Sequence, residues 1–237
     1  AIGKRLPCSA VEFVGGTAEP ALVAETDTAR VFRVRWPVLD GVHGEGLLIQ
    51  PKGRVLARVI YIPDADSEPE KIVDVRSVTS GCEIIIPALI SRRSEFSTNA
   101  RYGVKTNVPH REWIYRQAFE HGRHIIGYEV QKMLSLMDYF ESLPDRLPVL
   151  ISGLGEGGLI ATYAGAIDTR FCGVYSYGCF APREGLWAEP VYRNVFGLLR
   201  DFGDAEIASL IAPRPFAFHD LGYPQVAGPR AAEPGER

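Results

Sequence analysis

The sequence has 237 residues, of which 46% are hydrophobic and 23% charged, so it carries enough apolar material for one sizeable core. Its formal net charge of -3, without any run of lysines and arginines, argues against a nucleic-acid partner, which requires a basic stripe. No stretch reaches the roughly 18 uninterrupted apolar residues of a membrane span, so we expect a soluble protein without a membrane partner. Because the chain starts at Ala1 and not at Met, removal of a signal peptide is one explanation. The sequence does not determine the compartment, and a secreted or periplasmic location stays open.

The first strands are predicted after a segment without hydrophobic periodicity. Residues 1–30 predict an irregular lead-in to a domain over residues 31–220. Residues 31–36 alternate apolar and basic side chains and predict an edge strand, and residues 46–50 predict a second strand. Five short, continuously apolar runs predict strands covered on both faces, at residues 59–62, 83–89, 149–151, 173–176 and 215–218.

Helical patterns lie between these strands. Apolar residues recur at intervals of three and four over residues 126–140 and 159–167. The alternation of strand and helix predicts an α/β fold with a mostly parallel, doubly wound sheet. Residues 92–112 are polar and aperiodic and predict a long loop. Residues 221–237 are rich in proline and glycine and predict a tail that is either disordered or the start of a missing segment.

The most specific motif is the glycine turn GLGEGG at residues 153–158, between a predicted strand and a predicted helix. Strand, glycine turn and helix form the context of the GxSxG nucleophile elbow, in which Gly153 and Gly157 allow the close approach of strand and helix. The nucleophile position is Gly155, which has no oxygen atom and therefore cannot form a serine ester. The same letters spell GxGxxG, but a dinucleotide motif follows the first strand of its fold, so we predict no cofactor.

These features resemble the α/β-hydrolases of the acetyl-xylan-esterase and dienelactone-hydrolase type, and among them a group with a GxGEGG turn. Besides the turn, the segments at residues 109–115, 122–132 and 211–215 carry the resemblance, which covers about residues 31–220. It implies an α/β-hydrolase fold and a domain related to carbohydrate esterases, with a carbohydrate or small ester as the expected ligand.

The family's catalytic roles fall on particular positions of this chain. The resemblance places the nucleophile position on Gly155, the oxyanion amide on the N–H of Glu156 and the triad acid on Asp220. The family's histidine follows an eighth strand, and no histidine follows His219, so the last strand and helix look absent. The resemblance thus implies an esterase-like domain whose serine activity is doubtful. The alternative is a pseudoenzyme that serves as a binding or scaffold domain of a larger protein.

Two groups of charged residues are further candidates for the site. Asp64, Asp66 and Glu156 are expected to face each other, and convergent carboxylates bind a cation or perform carboxylate-based or metal-assisted hydrolysis. The alternative is that Asp66 caps the following helix and the other two are solvated. No metal ligand set is predicted, since the cysteines lack CxxC spacing.

The second group is basic and consists of Arg92, Arg93, His110, Arg111, Arg123 and His124. Arginine offers a bidentate fork, so this group predicts binding of a carboxylate or polyanionic sugar. The alternative is that Arg123 and His124 begin a helix and pair with Glu120 or Glu129 on its surface.

Overall fold

The computed structural model describes residues 4–72, 81–97, 101, 108–220 and 226. One sheet of nine strands runs through these residues. The strands are β1 Glu12–Phe13, β2 Leu22–Glu25, β3 Ala29–Leu39, β4 Val42–Pro51, β5 Ala57–Ile62, β6 Cys82–Pro87, β7 Val149–Leu154, β8 Gly173–Tyr177 and β9 Phe216–His219. The α-helices are α1 Pro69–Ile72, α2 His110–Glu120, α3 Ile125–Ser142, α4 Glu156–Ile167 and α5 Asp204–Ser209. Short 3₁₀ helices lie at Ser94–Ser97, Leu186–Ala188, Val191–Arg193 and Leu198–Arg200.

The strand order is β1-β3-β4-β6-β5-β7-β8-β9, with β2 also paired to β3. The strands from β6 to β9 in this order are parallel, whereas β3 and β4 pair antiparallel. Every predicted strand overlaps one of β3 to β9. The order and the flanking helices confirm the predicted α/β-hydrolase fold, and they bring the carboxyl ends of β5 and β7 side by side.

The prediction of an irregular lead-in over residues 1–30 is wrong for two segments, because β1 and β2 both pair antiparallel with β3. Arg5 also binds the carboxylate of Asp138 on α3 at 2.6 Å. Such short strands show no periodicity of their own and form because β3 offers its edge.

The predicted loop at residues 92–112 contains a 3₁₀ helix and the start of α2. Its residues 98–100 and 102–107 lie outside the described residues, as does the predicted tail at 221–237 except residue 226.

The larger hydrophobic core lies between the sheet and helices α3 and α4, which also pack against each other. The indole N–H of Trp36, on β3, donates to the carbonyl oxygen of Lys132 at 3.1 Å and ties the middle of α3 to the sheet. Among the described residues, no helix has the length and apolar character needed to cross a membrane.

Candidate functional site

The turn between β7 and α4 is centred on Gly155, whose backbone has φ 59° and ψ -119°. This conformation is costly for any residue with a Cβ atom. A Cβ atom on Gly157 would collide with the carbonyl oxygen of Ile62, and one on Gly153 would collide with that of Gly157. The glycines are therefore required by the close approach of β5, β7 and α4, as the motif predicts.

The first amide of α4 is bound by a carboxylate. The N–H of Glu156 donates to Oδ1 of Asp64 at 2.9 Å, across the ends of β7 and β5. The N-terminus of a helix favours negative charge, so the contact is electrostatically favourable. The amide that the resemblance assigns to an oxyanion is thus occupied by a side chain of the protein.

Arg92 joins the three predicted carboxylates. Its guanidinium binds both oxygens of Asp64, at 2.7 and 2.9 Å, and also contacts Asp66 at 3.3 Å and Glu156 at 3.2 Å. Its Nε donates to the hydroxyl of Tyr192 at 3.2 Å. The acids therefore converge as predicted, and the cation between them is an arginine side chain.

Two further arginines lie near the carboxylate of Glu156. Arg193 contacts its Oε1 at 2.7 Å, and Arg111 lies 3.9 Å from its Oε2. Arg111 forms a bidentate pair with Glu129 at 2.7 and 2.8 Å, and both side chains are fully buried. We call these six residues the arginine–carboxylate network: Asp64, Arg92, Arg111, Glu129, Glu156 and Arg193.

The network corrects the interpretation of Glu156 as a solvated residue. Glu156 is only 1% exposed, so it is not solvated at a strand end. Asp66 accepts from the backbone N–H of Arg92 at 2.8 Å and from the hydroxyl of Ser91 at 3.2 Å; it holds the loop after β6. In the part of the chain that the structure describes, no group of three or more histidine, cysteine or acidic side chains is arranged to hold a metal ion.

Both carboxylates at the turn are held in their charged form. Burial by itself raises the pKa of Glu156, but the combined attraction of Arg111, Arg193 and Arg92 outweighs it and lowers the pKa. Burial likewise raises the pKa of Asp64, whereas the hydrogen bonds from Arg92 and from the N–H of Glu156 lower it below its ordinary value. Asp64 and Glu156 are consequently ionised at neutral pH.

The predicted basic group is not one binding surface. Arg111 is fully buried in its pair with Glu129, so it is unavailable to a ligand. His124 caps α3: its Nδ1 accepts from the N–H of Ile126 at 3.1 Å, which makes Nε2 the donor to the carbonyl oxygen of Asn194. Burial lowers the pKa of His124 and keeps the ring neutral.

The remaining predicted site residues lie apart from the turn. His110 begins α2, where Nδ1 contacts the hydroxyl of Ser97 at 3.2 Å and the ring stacks on Trp113. Arg123 directly precedes the cap of α3, and its backbone N–H donates to Ala118. Asp220 is exposed after β9, two strands from β7 in the sheet. It lines a cavity together with Arg183 and Asp204, away from the Gly155 turn.

Sequence reasoning missed Tyr192 and Arg193, and it considered Glu129 only as a surface partner of Arg123 and His124, whereas Glu129 is buried. Arg193 lies four residues after Glu189, with which it pairs at 3.3 Å, but this spacing gives no sign of its contact with Glu156. Glu129 lies on the predicted helix of α3, and its apolar neighbours were the one sequence signal that it is buried.

A pH dependence follows from the lowered pKa values of Asp64 and Glu156. A carboxylate with a lowered pKa stabilises the folded state above its ordinary pKa of about 4, and this contribution is lost as the pH falls through the lowered value. We expect the free energy of unfolding, measured in urea, to fall between about pH 5 and pH 3. Asp64→Asn should reduce the slope of the free energy of unfolding against pH by up to about 1.4 kcal/mol per pH unit, the contribution of one bound proton. An unchanged slope in Asp64→Asn, relative to the exposed control Glu95→Gln, would contradict the ionised pairing.

Comparisons with known proteins agree with the fold. No protein-family model matches the chain. YtaP of Bacillus subtilis, a candidate hydrolase, is 31% identical over 110 residues, which are 43% of this chain and 37% of YtaP. The chain therefore spans little more than a third of that relative.

Solved structures with this fold include several esterases. A candidate acetyl xylan esterase of Bacteroides fragilis aligns with a TM-score of 0.63 at 15% identity, covering 92% of this chain and 63% of that one. Acetyl xylan esterase 1 of Thermoanaerobacterium sp. aligns with a TM-score of 0.56 at 13% identity, covering 94% and 84%. The acetyl xylan esterase of Paenibacillus sp. R4 gives 0.54 at 13% identity, covering 92% and 84%. At these identities the likeness shows the α/β-hydrolase fold.

Proposed function

We propose that this chain is a carbohydrate-esterase-like α/β-hydrolase domain without serine-ester chemistry, which serves as a binding or packing domain of a larger protein. The observation that carries the proposal is the hydrogen bond from the N–H of Glu156 to the carboxylate of Asp64 at 2.9 Å. This bond occupies the donor that an esterase reserves for the oxyanion, directly after a residue without a nucleophile.

Ester hydrolysis through a tetrahedral intermediate needs unoccupied N–H donors where negative charge develops. Here that place already holds the charge of Asp64, which would repel an oxyanion, and Arg92 is saturated by carboxylates. Gly155 supplies no oxygen to attack a carbonyl carbon. The turn therefore has no nucleophile, and its oxyanion amide is already occupied, so it is unsuited to ester hydrolysis.

A carboxylate-based reaction is less well supported. A general acid needs a raised pKa and a general base needs a pKa near the working pH, whereas the pKa values of Asp64 and Glu156 are both lowered. Their oxygens also face arginines, and Glu156 is buried away from any substrate. The acids accordingly act as structural partners of Arg92, Arg111 and Arg193.

The test is hydrolysis of p-nitrophenyl acetate by the chain and by Gly155→Ser. We expect both to match the rate in buffer, since a serine at residue 155 still meets an occupied amide. Gly185→Ser, at an exposed turn with open space around it, is the matched control for adding a hydroxymethyl group, and thermal unfolding checks that each variant folds. Hydrolysis above the buffer rate by the starting chain that disappears in Glu156→Gln would overturn the proposal.

A further inference from the structure

A second cavity, of about 300 Å³, lies beside the arginine–carboxylate network. The loops after β5 and β6, the Ser94–Ser97 helix, the start of α2 and the middle of α3 form its wall. Asp66 stands in this wall with its carboxylate bound to Arg92, so the cavity adjoins the Gly155 turn without including it. Leu89, Phe96 and Pro69 give it apolar surface.

One buried cation in this cavity lacks a partner. Lys132 lines the cavity from α3 and is 8% exposed. Within the described ranges its ammonium makes no hydrogen bond and no ion pair. The residue is held in place through its own carbonyl oxygen, which accepts from the indole of Trp36. Leaving a largely buried amine without a partner is costly, so a ligand that pairs with it gains free energy.

Two other charged groups of the cavity have ion-pair partners. Glu68 pairs with Lys71 at 3.0 Å, and Arg93 pairs with Glu95 at 3.4 Å. Burial lowers the pKa of His110, so its ring adds no positive charge.

Two acids influence Lys132 without pairing with it. Glu129, behind the cavity, is bound by Arg111, and Glu45 lies exposed at the rim, where water screens it. Burial lowers the pKa of Lys132 despite the attraction of both acids. Neither acid contacts the Lys132 ammonium, so a carboxylate bound in the cavity would be its direct partner and would favour its protonated form.

We propose that this cavity binds a small carboxylate carried on a ring, with the carboxylate on the ammonium of Lys132 and the ring against Leu89, Phe96 and Pro69. The charge-assisted contact with Lys132 would orient the ligand, and the apolar wall would bury its ring. The proposal uses residues outside the arginine–carboxylate network and holds whether or not the chain hydrolyses esters.

Isothermal titration calorimetry with benzoate and with glucuronate tests the site, with benzamide as the uncharged counterpart of benzoate. We expect saturable binding of at least one carboxylate, weakened about tenfold or more by Lys132→Met and unchanged by Lys71→Met, an exposed lysine near the rim. The starting chain should bind benzoate more tightly than benzamide. Lys132→Met should bind the two compounds equally well. A preference between benzoate and glucuronate identifies the ring as apolar or as a sugar. The absence of saturable binding, or equal binding by Lys132→Met, would overturn the proposal.

Differential acetylation of the starting chain covers the case in which Lys132→Met does not fold. Acetic anhydride is applied with and without saturating benzoate or glucuronate, and each lysine is quantified by mass spectrometry. We expect the carboxylate to protect Lys132 by at least about threefold and to leave Lys71 unprotected. Equal acetylation of Lys132 in both samples would refute the site. Neither experiment measures hydrolysis, so its failure is distinct from failure of the proposed function.

Discussion

Replacing Glu156 by glutamine is expected to lower the free energy of unfolding by about 3 kcal/mol. Glu156 is 1% exposed, and its Oε1 lies 2.7 Å from Arg193 and 3.2 Å from Arg92. Glutamine keeps the volume but removes the negative charge, which leaves buried guanidinium groups without their shared partner. The loss falls at the low end for a broken buried pair because Arg92 retains Asp64 and Arg193 retains Glu189.

Urea unfolding at neutral pH measures this loss, and Glu95→Gln is the matched control. Glu95 is 64% exposed and pairs with Arg93 at 3.4 Å, so we expect its loss to cost less than about 1 kcal/mol. Similar free energies for the two variants would show that the network does not stabilise the domain.

The second large effect is expected from Arg111→Met, which should lower the free energy of unfolding by about 3 to 5 kcal/mol. Arg111 and Glu129 are both fully buried, and the substitution leaves the negative charge of Glu129 without its counter-ion. Arg111→Met with Glu129→Gln should recover a large part of the loss, because neither charge of this buried pair remains and glutamine still accepts from the N–H of Ile90.

Arg116→Met is the matched control on the same helix. Arg116 is 63% exposed and pairs with Glu112 at 2.7 Å, so its replacement should cost about 0.5 kcal/mol or less. If the losses of the Arg111 and Glu129 single variants simply added in the double variant, the two charges would be independent and our interpretation of the pair would be wrong.

The arginine–carboxylate network joins four segments around the Gly155 turn. Asp64 follows β5, Arg92 follows β6, Glu156 begins α4, and Arg193 belongs to the Val191–Arg193 helix. The charged side chains of these segments pair with one another, so the network links parts of the chain that are distant in the sequence.

The sequence by itself determined the sheet and the Gly155 turn. Continuous apolar runs such as residues 59–62 and 149–151 predict buried strands, and they became β5 and β7. The approach of neighbouring carbonyl groups leaves no room for a side chain at Gly153 and Gly157, and the backbone conformation at Gly155 is costly for any other residue. Both are local properties, so they are written in adjacent residues.

Only the tertiary structure decided which charges meet. Asp64 and Glu156 are 92 positions apart and Arg92 and Tyr192 are 100 apart, and no periodicity links residues at such separations. The sequence therefore indicated converging acids and a basic group but not that Arg92 belongs to both. Lys132 looks like a surface residue of an amphipathic helix, and its burial depends on β3 and the surrounding loops. A side chain's charge is fixed by the chain, whereas its solvation and partners arise from long-range packing.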